Sequence, residues 1–273
     1  MFEPGVMFWA ERDDLEKVRS LGVRYGQLGI PGGMELNAEV AGKLKSRLEA
    51  AGITLVTVFA AYEGEDYADI PAVARTVGFV PPATREVRLA RTLAVSDFAR
   101  QLGVPSIACH IGFVPEDASH PDYIAVRQMV REVCDHAAQH GQSFALETGQ
   151  EPADVLLRFI GDVDRSNLRI NFDPANLILY GTGEPIAALE TLAPLVISVH
   201  CKDGDWPAPG VAGVLGVERP LGKGSVDITR FVKTLAKLGF PGPLNVERET
   251  EDQQERFHDL AEGVALVRLL TRA

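Results

Sequence analysis

The sequence predicts a single-domain α/β protein, a (β/α)8 TIM barrel over residues 1–273. Three observations lead there. The chain has 273 residues, close to the roughly 250 that one such barrel takes. A strand–helix cadence repeats along it without an interrupting linker. Two long connections fall after strands of that repeat, on the side where barrels carry their working loops.

The cadence is a helix-period stretch, a glycine, a short β-branched or apolar run, then a polar loop. Gly22, Gly52, Gly103, Gly141 and Gly239 each follow a helical stretch, where a left-handed C-cap is wanted before the next strand. Strands are predicted near Val6–Trp9, Tyr25–Leu28, Thr54–Phe59, Ser106–His110, Ser143–Glu147, Leu168–Phe172, Val196–His200 and Leu244–Glu247. Helices are predicted near Asp13–Leu21, Ala38–Ala51, Thr84–Leu102, Tyr123–His140, Ala153–Ile160, Pro185–Leu192, Ile228–Leu238 and Gln253–Leu270. Such alternation implies parallel pairing; an open doubly wound sheet shares the local pattern, and periodicity by itself does not separate the two. The connections Ala60–Pro82 and Cys201–Val226 are rich in Gly and Pro and longer than a joint requires, which makes them candidate substrate covers.

Composition narrows the function classes. A hydrophobic fraction of 46% with 24% charged residues suits a well-buried core. A net charge of -11, with no Lys/Arg cluster, disfavours nucleic acid as a partner. The opening MFEPGVMFW lacks the basic and apolar regions of a signal peptide, and no apolar run approaches a membrane span, so a soluble, cytoplasmic protein without a membrane partner is expected. Cys109, Cys134 and Cys201 are odd in number and lack CxxC spacing, as reduced thiols would. A small neutral or carbonyl-bearing substrate fits the charge, and the chain is compatible with a homo-oligomer, the Cys201–Val226 connection being an oligomer contact if it is not a substrate cover.

The chemistry is concentrated at four consecutive strand ends. Glu147 lies in FALET, Asp173 in RINFDPAN, His200 in VISVHCKD and Glu247 in LNVERE, each where apolar strand becomes polar loop. Strands stand about 4.8 Å apart, so these side chains can converge near the barrel axis. Taken singly, each is more readily a solvated acid or a hydrogen-bonded core histidine; four together on one face reverse that balance. Three converging carboxylates repel one another unless a cation stabilises them, and an imidazole beside them completes a mixed oxygen and nitrogen ligand set for one divalent metal ion. Hard oxygens favour Mn or Mg, while the histidine admits Co or Zn; Mn is the expected ion.

The second half of the chain resembles the xylose-isomerase-like TIM-barrel superfamily of sugar isomerases and epimerases, which includes ketose 3-epimerases and inosose-processing enzymes. The segments ALET, NFDPANL, VHCKDGD, LGKGSVD and NVERE carry the resemblance in the family's order and spacing, whereas the first half matches only in cadence. The resemblance implies that Glu147, Asp173, His200 and Glu247 hold one catalytic divalent ion that polarises the substrate carbonyl. It also implies that Glu147 and Glu247 serve as acid and base on opposite sides of a carbohydrate substrate. Asn176 stands where many of the family's ketose epimerases carry a histidine; it can bind a hydroxyl but cannot relay a proton near neutrality. Arg219, upstream of LGKG, resembles the family's substrate-contacting arginine, against the plainer reading of a solvated loop arginine.

Other substrate-binding candidates are His110, at the end of the fourth strand, and Lys202 and Asp203, just past the metal histidine, although a surface ion pair accounts for the latter two as well. Trp206, with Trp9 and Phe8, could wall a sugar site, an aromatic at a strand end being more often core. Cys201 should point away from His200's partners and stay inert. LGKG lacks the P-loop pattern, and no GxSxG elbow is present. The leading expectation is a metal-dependent isomerase or epimerase of a sugar, cyclitol or hydroxy-ketone. A dehydratase or lyase on a keto-sugar or inosose could use the same site. A multi-zinc nuclease would need more strand-end histidines than His110 and His200, and a substrate-sensing barrel would tolerate the loss of a ligand that is retained here.

Overall fold

In the computed structural model, which describes residues 2–272, the eight predicted strands form one closed parallel barrel. They are β1 (Pro4–Trp9), β2 (Tyr25–Ile30), β3 (Thr54–Ala60), β4 (Ser106–Cys109), β5 (Ser143–Glu147), β6 (Leu168–Phe172), β7 (Val196–Cys201) and β10 (Leu244–Val246). Closure comes from β10, which pairs with both β1 and β7, Asn245 standing beside Gly5 on one side and His200 on the other. Between β7 and β10 the chain makes a small antiparallel hairpin of β8 (Asp203–Asp205) and β9 (Val217–Arg219).

Among the described residues ten α-helices cover the barrel: α1 (Leu15–Ser20), α2 (Ala38–Ala51), α3 (Ile70–Thr76), α4 (Arg85–Leu102), α5 (Pro121–Gln139), α6 (Ala153–Val163), α7 (Pro174–Tyr180), α8 (Pro185–Leu192), α9 (Ile228–Lys237) and α10 (Gln253–Thr271). Two of them, α3 and α7, lie in stretches where the sequence reading placed only loop. Both carry start signals: Asp69 and Asp173 cap their first turns by accepting from backbone N–H groups, and a proline opens each. Their seven-residue length is too short for periodicity to register. The five glycines that punctuate the cadence all adopt positive φ, between 66° and 79°.

Two apolar zones divide the interior. The larger lies between the barrel and its helices, where Leu28, Phe144, Phe172 and Phe231 are buried. The smaller, inside the barrel, joins Met7, Phe59, Ala108 and Ala145. The rest of the barrel interior is polar: Gln27, Thr57, Asn171 and Asn245 have no exposed surface. Buried amides and hydroxyls carry a desolvation penalty unless they are paired. Thr57 Oγ1 lies 2.8 Å from Ser106 Oγ, and Gln27 donates to Asn171 Oδ1 at 3.0 Å.

Cys109, Cys134 and Cys201 are free and buried, in line with the reduced thiols expected of them. Among the described residues no helix is long and apolar enough to cross a membrane.

Candidate metal centre and active site

The four strand-end residues meet. Glu147 is the last residue of β5, Asp173 follows β6, His200 lies near the end of β7, and Glu247 follows β10. All four are buried, and their ligand atoms lie within 4.8 Å of one another. His200 Nδ1 stands 3.0 Å from Glu147 Oε1, 3.0 Å from Glu247 Oε2 and 3.9 Å from Asp173 Oδ2. Donors around an octahedral ion at about 2.1 Å stand roughly 3 Å apart at neighbouring corners, so this spacing suits one ion.

Three of the four side chains, Asp173, His200 and Glu147, are aimed by groups behind them. Asp173 caps α7: its Oδ1 accepts from the N–H groups of Ala175 at 2.8 Å and Asn176 at 3.1 Å. Its Oδ2 is buried without a hydrogen-bond partner and faces the cluster, which is what a metal-directed oxygen looks like before its ion is considered. His200 Nε2 lies 3.0 Å from Gln27 Oε1, so Gln27 can hold the tautomer that leaves Nδ1 toward the carboxylates. Asn171 donates to Glu147 Oε2 and receives Ser198 Oγ. The orphaned oxygen, the oriented imidazole and the three carboxylates together fit a divalent cation.

Charge tells the same story. Burial would lower the His200 pKa, but Glu147 and Glu247 outweigh it and hold the imidazole protonated well above its ordinary range. Burial raises the Asp173 pKa well above the usual carboxylate range, against the pull of Lys202 and with the repulsion of Glu147 and Glu247 added. Burial also acts to raise Glu247, yet His200 and Lys202 overcome it and keep that group ionised. Lys202 Nζ lies 3.4 Å from Glu247 Oε2, 3.7 Å from Asp173 Oδ2 and 2.7 Å from Glu249 Oε2. Within the protein's own side chains, one ammonium and one imidazolium face the carboxylates.

Above the cluster opens a cavity of about 500 Å³. Met7, Trp9, Phe59, Leu179 and Leu215 give it apolar walls, and His110, Asn176 and Lys202 supply polar groups among them. Gly29 lets the Trp9 indole lie against β2, since a Cβ there would come within 2.5 Å of Trp9 Cε3. His110 follows β4 and stacks edge-on to Phe59 with ring centroids 5.6 Å apart. Asn176 Nδ2 lies 3.4 Å from Glu147 Oε1. The rim is acidic, with Glu65, Glu218, Glu249 and Glu251 facing the opening and Arg12 among them.

Three predicted substrate contacts are placed elsewhere. Arg219 is half-exposed and pairs with Asp205 at 2.7 Å, outside the cavity lining. Trp206 is exposed to solvent beyond the β8 strand and does not wall the site. Asp203 is buried beneath the loop, where its carboxylate receives the N–H groups of Gly222, Gly224 and Val226 at 2.9–3.1 Å. It shapes the Cys201–Val226 connection and stays out of the cavity. Phe8 likewise belongs to the core between barrel and helices.

The two long connections lie over the cavity and touch. Tyr67 and Glu65 reach it from the first, Leu215 and Glu218 from the second. The Ile70 N–H donates to the Gly213 carbonyl at 3.0 Å, joining them. Beneath, Gly78 adopts φ +69, and a Cβ there would sit 2.0 Å from the Ile111 carbonyl carbon, so only glycine lets this connection approach the loop after β4.

Sequence reading missed Gln27, Asn171 and Glu249. The first two were visible as polar residues within otherwise apolar strands, YGQLGI and RINF; Glu249 follows Glu247 by two residues.

The family model for the xylose isomerase-like TIM barrel matches residues 15–270, and the chain belongs to that family. It is similar to the crystal structure of a xylose isomerase domain protein from Planctomyces limnophilus, with 44% identity, 98% of this chain and 97% of that one covered, and a TM-score of 0.95. A xylose isomerase-like TIM barrel protein from Mycobacterium smegmatis, solved in complex with magnesium, is 18% identical with a TM-score of 0.73, covering 99% and 96% of the two chains. The D-psicose 3-epimerase of Clostridium cellulolyticum H10, solved with D-tagatose, is 16% identical with a TM-score of 0.69, covering 98% and 99%. These last two likenesses concern the fold. No curated protein matches the sequence.

Proposed function

We propose that this chain is a divalent-metal-dependent carbohydrate isomerase or epimerase that moves a proton on a carbon next to a carbonyl. The observation that carries this reading is the buried Glu147–Asp173–His200–Glu247 cluster at the floor of the cavity, with an unpartnered Asp173 oxygen aimed into it. A bound ion would be held by those four side chains, and it would polarise the carbonyl and stabilise developing negative charge on oxygen.

The protein's own residues would do the rest. Glu147 and Glu247 sit three strand steps apart around the barrel and flank the cavity floor, so one can take a proton from one face of the substrate and the other can return it to the opposite face. Asn176 and His110 lie where substrate hydroxyls would come to rest, and Met7, Trp9 and Phe59 give a ring an apolar surface. The acidic rim selects among substrates. Lys202 pairs with Glu249 and Arg248 with Glu218, yet with Glu65 and Glu251 facing Arg12 alone the rim stays net acidic, which opposes a phosphate or carboxylate, whereas an uncharged polyol meets no such repulsion. An unphosphorylated keto-sugar or cyclitol is therefore the favoured substrate.

The test is a panel of ketoses, aldoses and inososes, each with its phosphate ester where one exists, incubated with Mn-loaded protein in deuterated water. Deuterium at one carbon of an isomerised, unphosphorylated substrate is the expected result. Loss of water from the substrate would reassign the reaction to a dehydratase, for which Lys202 is a second acid at the same cavity. Turnover confined to phosphate esters would overturn the substrate class.

A further inference from the structure

On the outer helical layer, away from the cavity, two imidazoles and a carboxylate converge on one point. His136 and His140 lie on α5, four residues apart, the spacing that sets two side chains on one helix face. Asp97 comes from the neighbouring helix α4. Nε2 of His136 is 3.1 Å and Nε2 of His140 2.8 Å from the same oxygen, Asp97 Oδ1. The rings meet edge to face, 89° apart in plane, and both Nε2 atoms stand within hydrogen-bonding distance of that one oxygen.

Donors at about 2.0–2.1 Å around a tetrahedral zinc ion stand roughly 3.3 Å apart. The nitrogen–oxygen separations here fall a few tenths of an ångström inside that edge, so a small outward shift of the half-exposed Asp97 carboxylate admits an ion. We propose that Asp97, His136 and His140 form a second metal site that takes zinc or another imidazole-preferring ion, its remaining position filled by solvent. Two imidazoles and one carboxylate select zinc, nickel or copper over manganese, the reverse of the oxygen-rich cluster inside the barrel.

The position says what such an ion would do. His140 closes α5 just before β5 begins at Ser143, so the site lies toward the amino ends of the strands, on the face of a barrel that supports stability and not chemistry. The ion would clamp α4 to α5. It would raise the melting temperature by binding only the folded chain, and it would leave turnover unchanged.

Zinc chloride is the probe, with zinc per chain counted by elemental analysis after desalting. The wild-type protein should retain two ions, H140Q one, D173N one, and H140Q/D173N none. Glutamine at position 140 can still donate to Asp97 and is a poor zinc ligand, so the variant keeps the helix contact while losing the site. H140Q should also lose the part of the zinc-induced rise in Tm that Mn does not give, with Mn-supported turnover unaltered. Equal zinc counts and equal Tm shifts in wild type and H140Q would overturn the proposal and leave a hydrogen-bonded clamp only. A D173N protein that keeps the wild-type count would count against the central cluster instead, which separates the two sites.

Discussion

The two halves of the barrel are made of the same repeating unit but end their strands differently. Toward the cavity, β1 and β3 present Met7, Trp9 and Phe59, large apolar side chains that form walls. The strand ends of β5, β6, β7 and β10 present Glu147, Asp173, His200 and Glu247, four groups that could not be packed together without a counter-charge. Shape comes from one half, and in the proposed function the chemistry comes from the other. Contacts cross the division at the cluster itself: Gln27 of β2 reaches His200 on one side and Asn171 on the other, and the Phe59 ring of β3 lies 6.1 Å from that of His200. The contrast teaches that a barrel can gather its polar strand ends on adjacent strands, which orient Glu147 and Asp173 from within their own half, while the opposite half supplies the walls and, through Gln27, the partner of His200.

The largest effect should come from the two carboxylates that the proposed chemistry uses. Glu147→Gln and Glu247→Gln should each lower kcat about 10²–10⁴-fold, measured on protein whose metal content equals that of the wild type. A metal-replete variant with near-normal turnover would remove that glutamate from the proton transfers. Next, Asp173→Asn should weaken Mn binding by more than the roughly 10–100-fold that an outer-shell change costs, read by calorimetry. Unchanged affinity would take Asp173 out of the ligand set.

Gln27→Leu tests whether the first half reaches into the chemistry. Affinity for the ion should fall about 10–100-fold although no ligand is removed, because His200 Nε2 loses the acceptor that fixes its tautomer. If affinity holds, the first half is wall only, and the comparison sharpens. Protons should compete as well. Glu147 and Glu247 keep His200 protonated to a higher pH than a free imidazole, and the ion needs that nitrogen bare, so binding must release the proton and tighten as pH rises. Affinity that is flat from pH 6 to 8 would contradict the role of His200 Nδ1. The smallest effects belong to Trp206→Ala and Arg219→Ala. Neither side chain lines the cavity, and an exposed pair such as Arg219–Asp205 contributes about 0–1 kcal/mol, so KM should move less than about fivefold. A larger rise in KM for either would mean that the Cys201–Val226 connection moves onto the substrate when it binds.

Much of this was legible in the residues because the signals were local. Positive-φ glycines mark helix ends, short apolar runs mark strands, and a carboxylate or imidazole at the junction of strand and polar loop marks the working face of a barrel. What stayed hidden depended on distance along the chain. Asp203 looks like a neighbour of His200 that could touch substrate, yet its carboxylate is consumed by amides some twenty residues later, between Gly222 and Val226. Arg219 resembles a substrate arginine until the β8–β9 hairpin brings Asp205 beside it. Gln27 stands 173 residues from the histidine it orients, a separation that no local pattern spans. The short helix α7 is an intermediate case: the run DPANLILYG carries its cap, its proline and its terminal glycine, but too few turns to show a period.

The central claim is that four consecutive strand ends hold one ion, and diffraction from Mn-soaked crystals collected at the manganese edge tests it most directly. The account predicts a single anomalous peak inside the barrel, about 2.0–2.3 Å from a carboxylate oxygen of each of Glu147, Asp173 and Glu247 and from His200 Nδ1. A barrel with no peak there, or with the ion bound elsewhere and Lys202 still neutralising the carboxylates, would contradict it.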